Sequence, residues 1–549
     1  MLALIPGFKK PVFILAYIFL VIFLFRSPTL LNDYYDTDEL NRSICATEIL
    51  NGGKLYVDCV DQQPPLVYYY FALNFLLFGE RNLYAVHFMS ILIIIATAFL
   101  LYKIISLIRR DKEAGYLAAL LYGVYITAFE ESFMATNGEL LFNLPVVWAI
   151  YLYLRYLYSE SQSYRQLILV GFAAFLAFFF KQHGVFVLGA LCLHSVIVLP
   201  IVQKKLSLRR HILTAFLMGF SFLLFCAIAF LIIYWQGYLS EFIEWVFAFG
   251  VTYSKYGQAS VWDITQKLLF RQFQLTVVQI GAWLLFAWFV IRLFKDKYQN
   301  ARDQEKALLL TLVFIFSYIP ILLGGYRLWF HYFIQYLPAL VLIAAYQFSL
   351  SKDWILSKAR WTLKLSVYGP LLFFIGWHSY DIYKKYYVDN PLTPTNYNYL
   401  VERPELKAVT AWIRENSSPE DSIFVWGYSP QIYYFSQRRM GGRFLSLSHI
   451  TLDNSNLDKK TGGLSQYRKT RSGEDLDRLF KLLLKDFKNK KPKYIIDTSG
   501  TSLTDYKKDS PDNYPIVDYY LKENYKQVKE ISGVIILERE DYFLETAFQ

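Results

Sequence analysis

From residue 11 to about residue 380, apolar runs of roughly 17 to 25 residues, long enough to cross a bilayer, alternate with short polar stretches and then cease. The pattern predicts about eleven transmembrane helices, near residues 11–26, 83–107, 116–131, 140–158, 167–181, 185–203, 212–235, 274–294, 307–324, 332–350 and 364–381. Beyond residue 381 the periodicity changes. "PELKAVTAWIREN", "EDLDRLFKLLLKDFKNKK" and "YPIVDYYLKENYKQVKEI" read as amphipathic helices, and "SIFVWG", "KYIID" and "GVIILER" as strands. The chain is therefore expected to be a polytopic α-helical membrane protein over residues 1–381, followed by a soluble α/β domain over 382–549.

Composition agrees: 55% of residues are hydrophobic, 19% aromatic and only 18% charged, against roughly 25% charged in soluble domains. A net charge of +11 would suit nucleic acid if it were spread along one face. Instead the Lys and Arg residues gather in alternate loops, as in Arg109, Arg110 and Lys112, in Lys204, Lys205, Arg209 and Arg210, and in Lys352, Lys358, Arg360 and Lys364. That is the bias of cytoplasmic loops, so no nucleic-acid partner is expected and membrane lipid is. With Lys9 and Lys10 before the first run, the amino terminus is expected in the cytoplasm, and an odd number of spans puts the carboxy-terminal domain outside. The first run is not followed by a small-residue cleavage site, so it reads as a retained helix.

Candidate chemistry gathers in the outer loops. The first one, residues 27–82, contains "YYDTDELNRSICATEILNGGKLYVDCVDQQPPLVYYY". Asp36 and Glu39 fit a capping box for a helix stopping at Gly52-Gly53. Asp38, left over in the first turn, is either a solvated neighbour of the cap or a carboxylate held ionised by the helix dipole, able to act as general base or metal ligand. Cys45 and Cys59 share this loop, with or without a disulfide. Asp61 and Gln63 precede Pro64-Pro65, which should end regular structure. Tyr69 then lies in a tyrosine-rich segment suited equally to anchoring at the interface and to walling a binding site. Other outer loops supply Asn137 and Glu139 in "ATNGELL", Lys181, Gln182 and His183 in "FKQHG", and Arg327, His331 and Tyr332 in "RLWFHYF". Each has an ordinary explanation as a capping or snorkelling residue. Their common side is what singles them out, because ionisable groups at a membrane are costly to keep. Acids with a few cations suit a reaction at a lipid phosphate. There is no glycine-rich phosphate loop, so an activated lipid-linked substrate would have to supply the energy.

The stretches "DTDEL", "ILNGGKLYVDCVDQQPPLVYY", "ATNGELL", "FKQHG" and "RLWFHYFIQYLP", with "AWIRENSSPEDSIFVWGYSPQIYYFSQRR" later, resemble bacterial membrane glycosyltransferases of the type C fold. These are the group related to dolichyl-phosphate-mannose protein mannosyltransferases and to the lipid A aminoarabinose transferase. The resemblance implies transfer of a sugar, with inversion, from a polyprenyl-phosphate-linked donor to a lipid, glycan or protein acceptor at the outer face of the bacterial cytoplasmic (inner) membrane. It places the catalytic acids at Asp38 and Glu39. Where the aminoarabinose transferase has a Glu-Lys pair before the proline, this chain has Gln62-Gln63, which removes a cation. Lys181 and Arg327 then stand as phosphate ligands, and use of a divalent metal stays open. The rival expectations are a lipid or polysaccharide transporter, disfavoured because polar residues sit at one face rather than mid-membrane, and a glycan ligase or polymerase using a lipid-diphosphate donor.

Overall fold

The computed structural model describes residues 11–541 except 128–130, 160–161, 204–207, 252–259, 296–299, 324–326, most of 358–403, 452–472 and 502–509. Helices dominate: α1 (Pro11–Arg26), α2 (Thr37–Leu50), α3 (Pro65–Phe78), α4 (Leu83–Arg109), α5 (Lys112–Tyr125), the short α6 (Glu131–Met134), α7 (Gly138–Tyr158), α8 (Tyr164–Phe180) and α9 (Phe186–Leu193), then further apolar helices to Ser357. Seven helices among the described residues are long and apolar enough to cross a membrane, and a bent pair makes an eighth. The predicted spans near 116–131 and 167–181 correspond to α5 and α8, of 14 and 17 residues. The predicted span at 364–381 lies outside the described residues.

Two stretches depart from expectation. Pro64 and Pro65 do not end structure but begin it. Pro65 opens α3, where its missing N–H costs nothing, and the helix stops at Gly79 with φ +103°. At 14 residues, about 21 Å, α3 is too short to span the membrane core, yet Leu73, Leu76, Leu77 and Phe78 are exposed on it. The loop expected at 236–273 contains a helix, Val261–Val278, opened by a Ser260–Asp263 capping box and meeting Ile280–Phe294 at 107°. The corner is held by buried Gln279, whose Oε1 accepts hydrogen bonds from Tyr336 Oη (2.8 Å) and Trp283 Nε1 (3.3 Å).

The carboxy-terminal part carries a five-stranded sheet, β1 (Ser422–Trp426), β2 (Arg439–Met440), β3 (Tyr494–Asp497), β4 (Tyr525–Ile531) and β5 (Val534–Arg539), in the order β2-β1-β3-β5-β4. β2, β1 and β3 run parallel, and β5 and β4 antiparallel. The expected long helix "YPIVDYYLKENYKQVKEI" is split: a helix covers Pro515–Asn524, and "YKQVKEI" is the edge strand β4. The cause is the two-residue turn Ser532-Gly533, both with positive φ (51° and 85°), which closes a hairpin with β5.

The α/β domain docks on the loop that follows α2. Cys45 and Cys59 form a disulfide with Cα atoms 5.4 Å apart, and both are buried. Immediately after it, Val60 N–H donates to Arg443 O (2.8 Å), and Glu48 Oε1 accepts from Met440 N–H (3.3 Å). From the other side Arg81 donates to the carbonyls of Tyr433 and Arg438, each at 3.2 Å. Closing a loop with a sequence separation of 14 stabilises by about 3 kcal/mol in the chain-entropy picture. Replacing both cysteines by serine is therefore expected to lower the thermal midpoint of the purified protein in detergent, and to make limited proteolysis release the α/β domain faster.

Candidate active site

Helix α2 brings the acidic loop together. Asp36 is its N-cap, extended at φ −143°, accepting from Asp38 N–H at 3.1 Å. The helix ends at Asn51, and Gly52 leaves it at φ +85°, as the sequence indicated. Glu39 does not close the expected box on Asp36. It is fully buried, and its Oε2 accepts from Tyr35 N–H (2.7 Å) while Oε1 accepts from Thr136 N–H (2.6 Å) and faces His87 Nε2 at 3.0 Å. His87 Nδ1 lies 2.6 Å from the Thr29 carbonyl, which can only accept, so that nitrogen carries a proton. Burial opposes ionisation of Glu39, but His87 and the two backbone donors outweigh it and hold the carboxyl below its ordinary range.

One turn on, Arg42 is buried as well. It donates to Thr136 O (3.0 Å) and Asn137 Oδ1 (3.4 Å) with one nitrogen and to Asp38 Oδ2 (3.1 Å) with the other. Glu39 and Arg42 thus grip the backbone of Thr136 from both sides, one at its N–H and the other at its carbonyl. Arg26, at the end of α1, steadies the same segment by donating to the carbonyls of Phe133 and Met134, both at 2.7 Å.

Asp38 is the acid left presented, with its side chain 37% exposed. Around it stand two more carboxylates. Burial and then Asp38 push Asp61 up to about 6, and burial with Asp38 pushes Asp36 up to about 8. Asp36 Oδ2 lies 3.8 Å from His331 Nδ1. Next to this group Lys181 pairs with Glu139 and sits over the Tyr332 ring at 4.7 Å. Gln63 Oε1 and the Lys181 side chain both border Gly138, where a Cβ would meet them at ordinary contact distances of 3.4 and 3.5 Å. Gln182 Nε2 donates to Val246 O at 3.1 Å.

The structure therefore joins Asp36, Asp38, Asp61, Gln63, Asn137, Glu139, Lys181, Gln182, His331 and Tyr332 at one end of the helical bundle. Tyr69 stands aside, its hydroxyl 3.4 Å from that of Tyr238, whereas His183, bound to Gln335, lies within reach of the charges of Lys181 and Glu139. Arg327 is buried (2% exposed). Among the described residues no three of His, Cys, Asp and Glu are grouped to hold a metal ion.

Sequence reasoning missed four contributors. Arg42 could have been found as the i+4 partner of Asp38, and His87 as a histidine inside an apolar run. Thr136 acts largely through its backbone. Tyr428, which reaches α2 from the α/β domain and whose oxygen accepts from Asn41 Nδ2 (3.0 Å), has no local signal at all.

Two outcomes are expected. Glu39→Ala, which strands His87 and two buried N–H groups, should cost about 3–5 kcal/mol in unfolding free energy, whereas Asp38→Asn should cost far less. Asp61 in the native state holds its proton up to about pH 6, against an ordinary value of 3.8. The native state thus binds more protons than the unfolded chain in that window, and stability falls as pH rises through it. Asp61→Asn should accordingly raise the unfolding free energy at pH 7 by up to about 3 kcal/mol, seen as a higher thermal midpoint, and lose that advantage near about pH 4.

Residues 62–235 match the family model for dolichyl-phosphate-mannose-protein mannosyltransferase. No curated protein matches the sequence. Among solved structures, ArnT from Cupriavidus metallidurans bound to undecaprenyl phosphate superposes with a TM-score of 0.55 at 12% identity, over 96% of this chain and 97% of that one. The oligosaccharyltransferase of Archaeoglobus fulgidus in complex with zinc and sulfate superposes with a TM-score of 0.51 at 13% identity, over 88% of this chain and 67% of that one. The resemblance read from the sequence thus holds in the family match over residues 62–235 and in the architecture of nearly the whole chain, which has the fold of the type C membrane glycosyltransferases.

Proposed function

We propose that the protein is a membrane glycosyltransferase that moves a sugar from a polyprenyl-phosphate-linked donor to a lipid, glycan or protein acceptor. The observation that carries this reading is the meeting of a presented carboxylate, Asp38, with the Lys181–Glu139 pair and His331 at one end of an apolar helical bundle. The family match over residues 62–235 and the fold support it, and the bound undecaprenyl phosphate of the ArnT structure favours a polyprenyl carrier.

In the proposed reaction Asp38 takes the proton from the acceptor nucleophile. The nucleophile attacks the anomeric carbon, the bond from that carbon to the phosphate oxygen breaks, and polyprenyl phosphate departs with the electron pair. Lys181 faces the charge that develops on the leaving phosphate, and the sequence offers Arg327 as a second cation for it. Glu39 acts differently from Asp38: its oxygens are engaged by His87, Thr136 and Tyr35, so it positions the segment rather than meeting the substrate. A single displacement inverts the anomeric centre. Basic loops at the opposite end of the bundle favour an outer-face site in the cytoplasmic membrane.

The test is expression of wild type and Asp38→Asn at equal membrane levels in a host lacking the gene, with mass spectrometry of envelope glycolipids and glycoproteins. Wild type should restore a species heavier by one sugar. The variant should reduce transfer by about 10²- to 10⁴-fold. Full restoration by the variant would remove Asp38 from the chemistry.

A further inference from the structure

The α/β domain turns a particular edge toward the acidic group. In its sheet β1 is flanked by β2 on one side and β3 on the other, all parallel. The chain passes from β1 outward to β2 and then back across β1 to β3, so the two connections go opposite ways and the strand order reverses between β1 and β3. In sheets of this kind the crevice outside the carboxyl ends of such strands is where ligands bind.

That crevice is built here from the residues just past β1 and β3. Gly427 turns the chain at φ +117°, and its carbonyl accepts from Leu447 N–H (2.9 Å). Thr498 ties the two strand ends together, with its N–H and hydroxyl both donating to Trp426 O (3.1 and 2.8 Å). Tyr428 projects from this corner and is partly exposed. Its oxygen accepts from Asn41 Nδ2 at 3.0 Å. Asn41 lies on α2 between Asp38 and Arg42, and its own Oδ1 is buried with no hydrogen-bond partner among the described residues. After burial, the charges that act on the Tyr428 phenol are those of Asp38, Asp36 and Asp61. The crevice therefore opens over the same carboxylates that the membrane helices surround.

The two approaches to Asp38 differ in chemistry. From the bundle come Lys181, His331 and Tyr332, a cationic and aromatic wall suited to a lipid phosphate. On the side of the α/β domain stand neutral donors and acceptors, the Tyr428 hydroxyl of that domain and the α2 amide of Asn41 bound to it, suited to a hydroxyl-bearing molecule without net charge at that point. We infer that Tyr428, set by Asn41, is a positioning residue for the acceptor, so that the α/β domain completes the transfer site and the acceptor enters along its switch-point crevice.

This inference rests on the proposed transfer reaction. The experiment is chosen so that failure of one and failure of the other look different. Purified full-length protein is incubated with an envelope extract of the gene-deleted host. Two products are followed: the acceptor heavier by one sugar, and free sugar released by slow transfer to water, which needs donor but no acceptor. Tyr428→Ala is expected to lower sugar transfer at least tenfold while leaving donor hydrolysis within about twofold of wild type. Tyr428→Phe keeps the ring and removes the hydroxyl, and it should raise the acceptor KM with little change in kcat. A thermal midpoint matching wild type, measured on the same preparations, separates this from a folding defect.

Tyr428→Ala with wild-type transfer overturns the inference and leaves the proposed function standing. Equal loss of transfer and hydrolysis by a folded variant also overturns it, since the residue would then serve the donor. Wild-type protein that yields neither product overturns the proposed function and the inference with it.

Discussion

The backbone of Thr136, its N–H held by Glu39 and its carbonyl by Arg42, is the junction on which the site depends. A helix as polar as α2 is not expected to be buried along most of its length, yet Glu39 to Thr47 are all enclosed. It lies between the bundle and the α/β domain, so every polar group on it must find a partner or cost free energy. Toward the bundle the partners are His87, Thr136 and Asn137; toward the domain they are Tyr428 and Met440. Those bonds fix where Asp38 points, because Asp38 is bound to Arg42 at 3.1 Å and Arg42 to Thr136.

The arrangement separates two acids that are adjacent in sequence. Asp38 and Glu39 sit 100° apart around the helix axis, so only one of them faces the space beside Asp61. Glu39 is satisfied on both oxygens and buried, while Asp38 keeps exposure. Asp36 and Asp61 are held at protonation values above the ordinary range by burial and by Asp38. Such crowding of like charge is a stability cost typical of functional positions rather than of packing.

Much of the architecture was legible in the sequence because hydrophobic run length and period are local. The long apolar runs, the N-cap at Asp36, the helix stop at Gly52 and three of the strands could be read directly. What failed had non-local or competing causes. Pro65 begins α3 because proline suits a first helical position as well as a break. "YKQVKEI" carries a helical pattern, but the Ser532-Gly533 turn and pairing with β5 override it. The outer-loop residues of the candidate site were found because they share one side of the predicted threading. Nothing local distinguishes Tyr428, nearly four hundred positions from the helix it touches, from the other tyrosines of the chain.

The docking platform also has a history imposed by chain order. The disulfide-closed segment 45–59 and its neighbour Val60 leave the ribosome long before Arg443 and Phe444, which rest against it. At ordinary elongation rates that gap is about 20 to 80 s. Throughout it, the Val60 N–H and the face of α2 that the α/β domain covers lack the partners they have in the finished molecule. A covalent clasp closed across that segment within the interval would hold its shape until the domain arrives, a service to assembly rather than to the finished molecule.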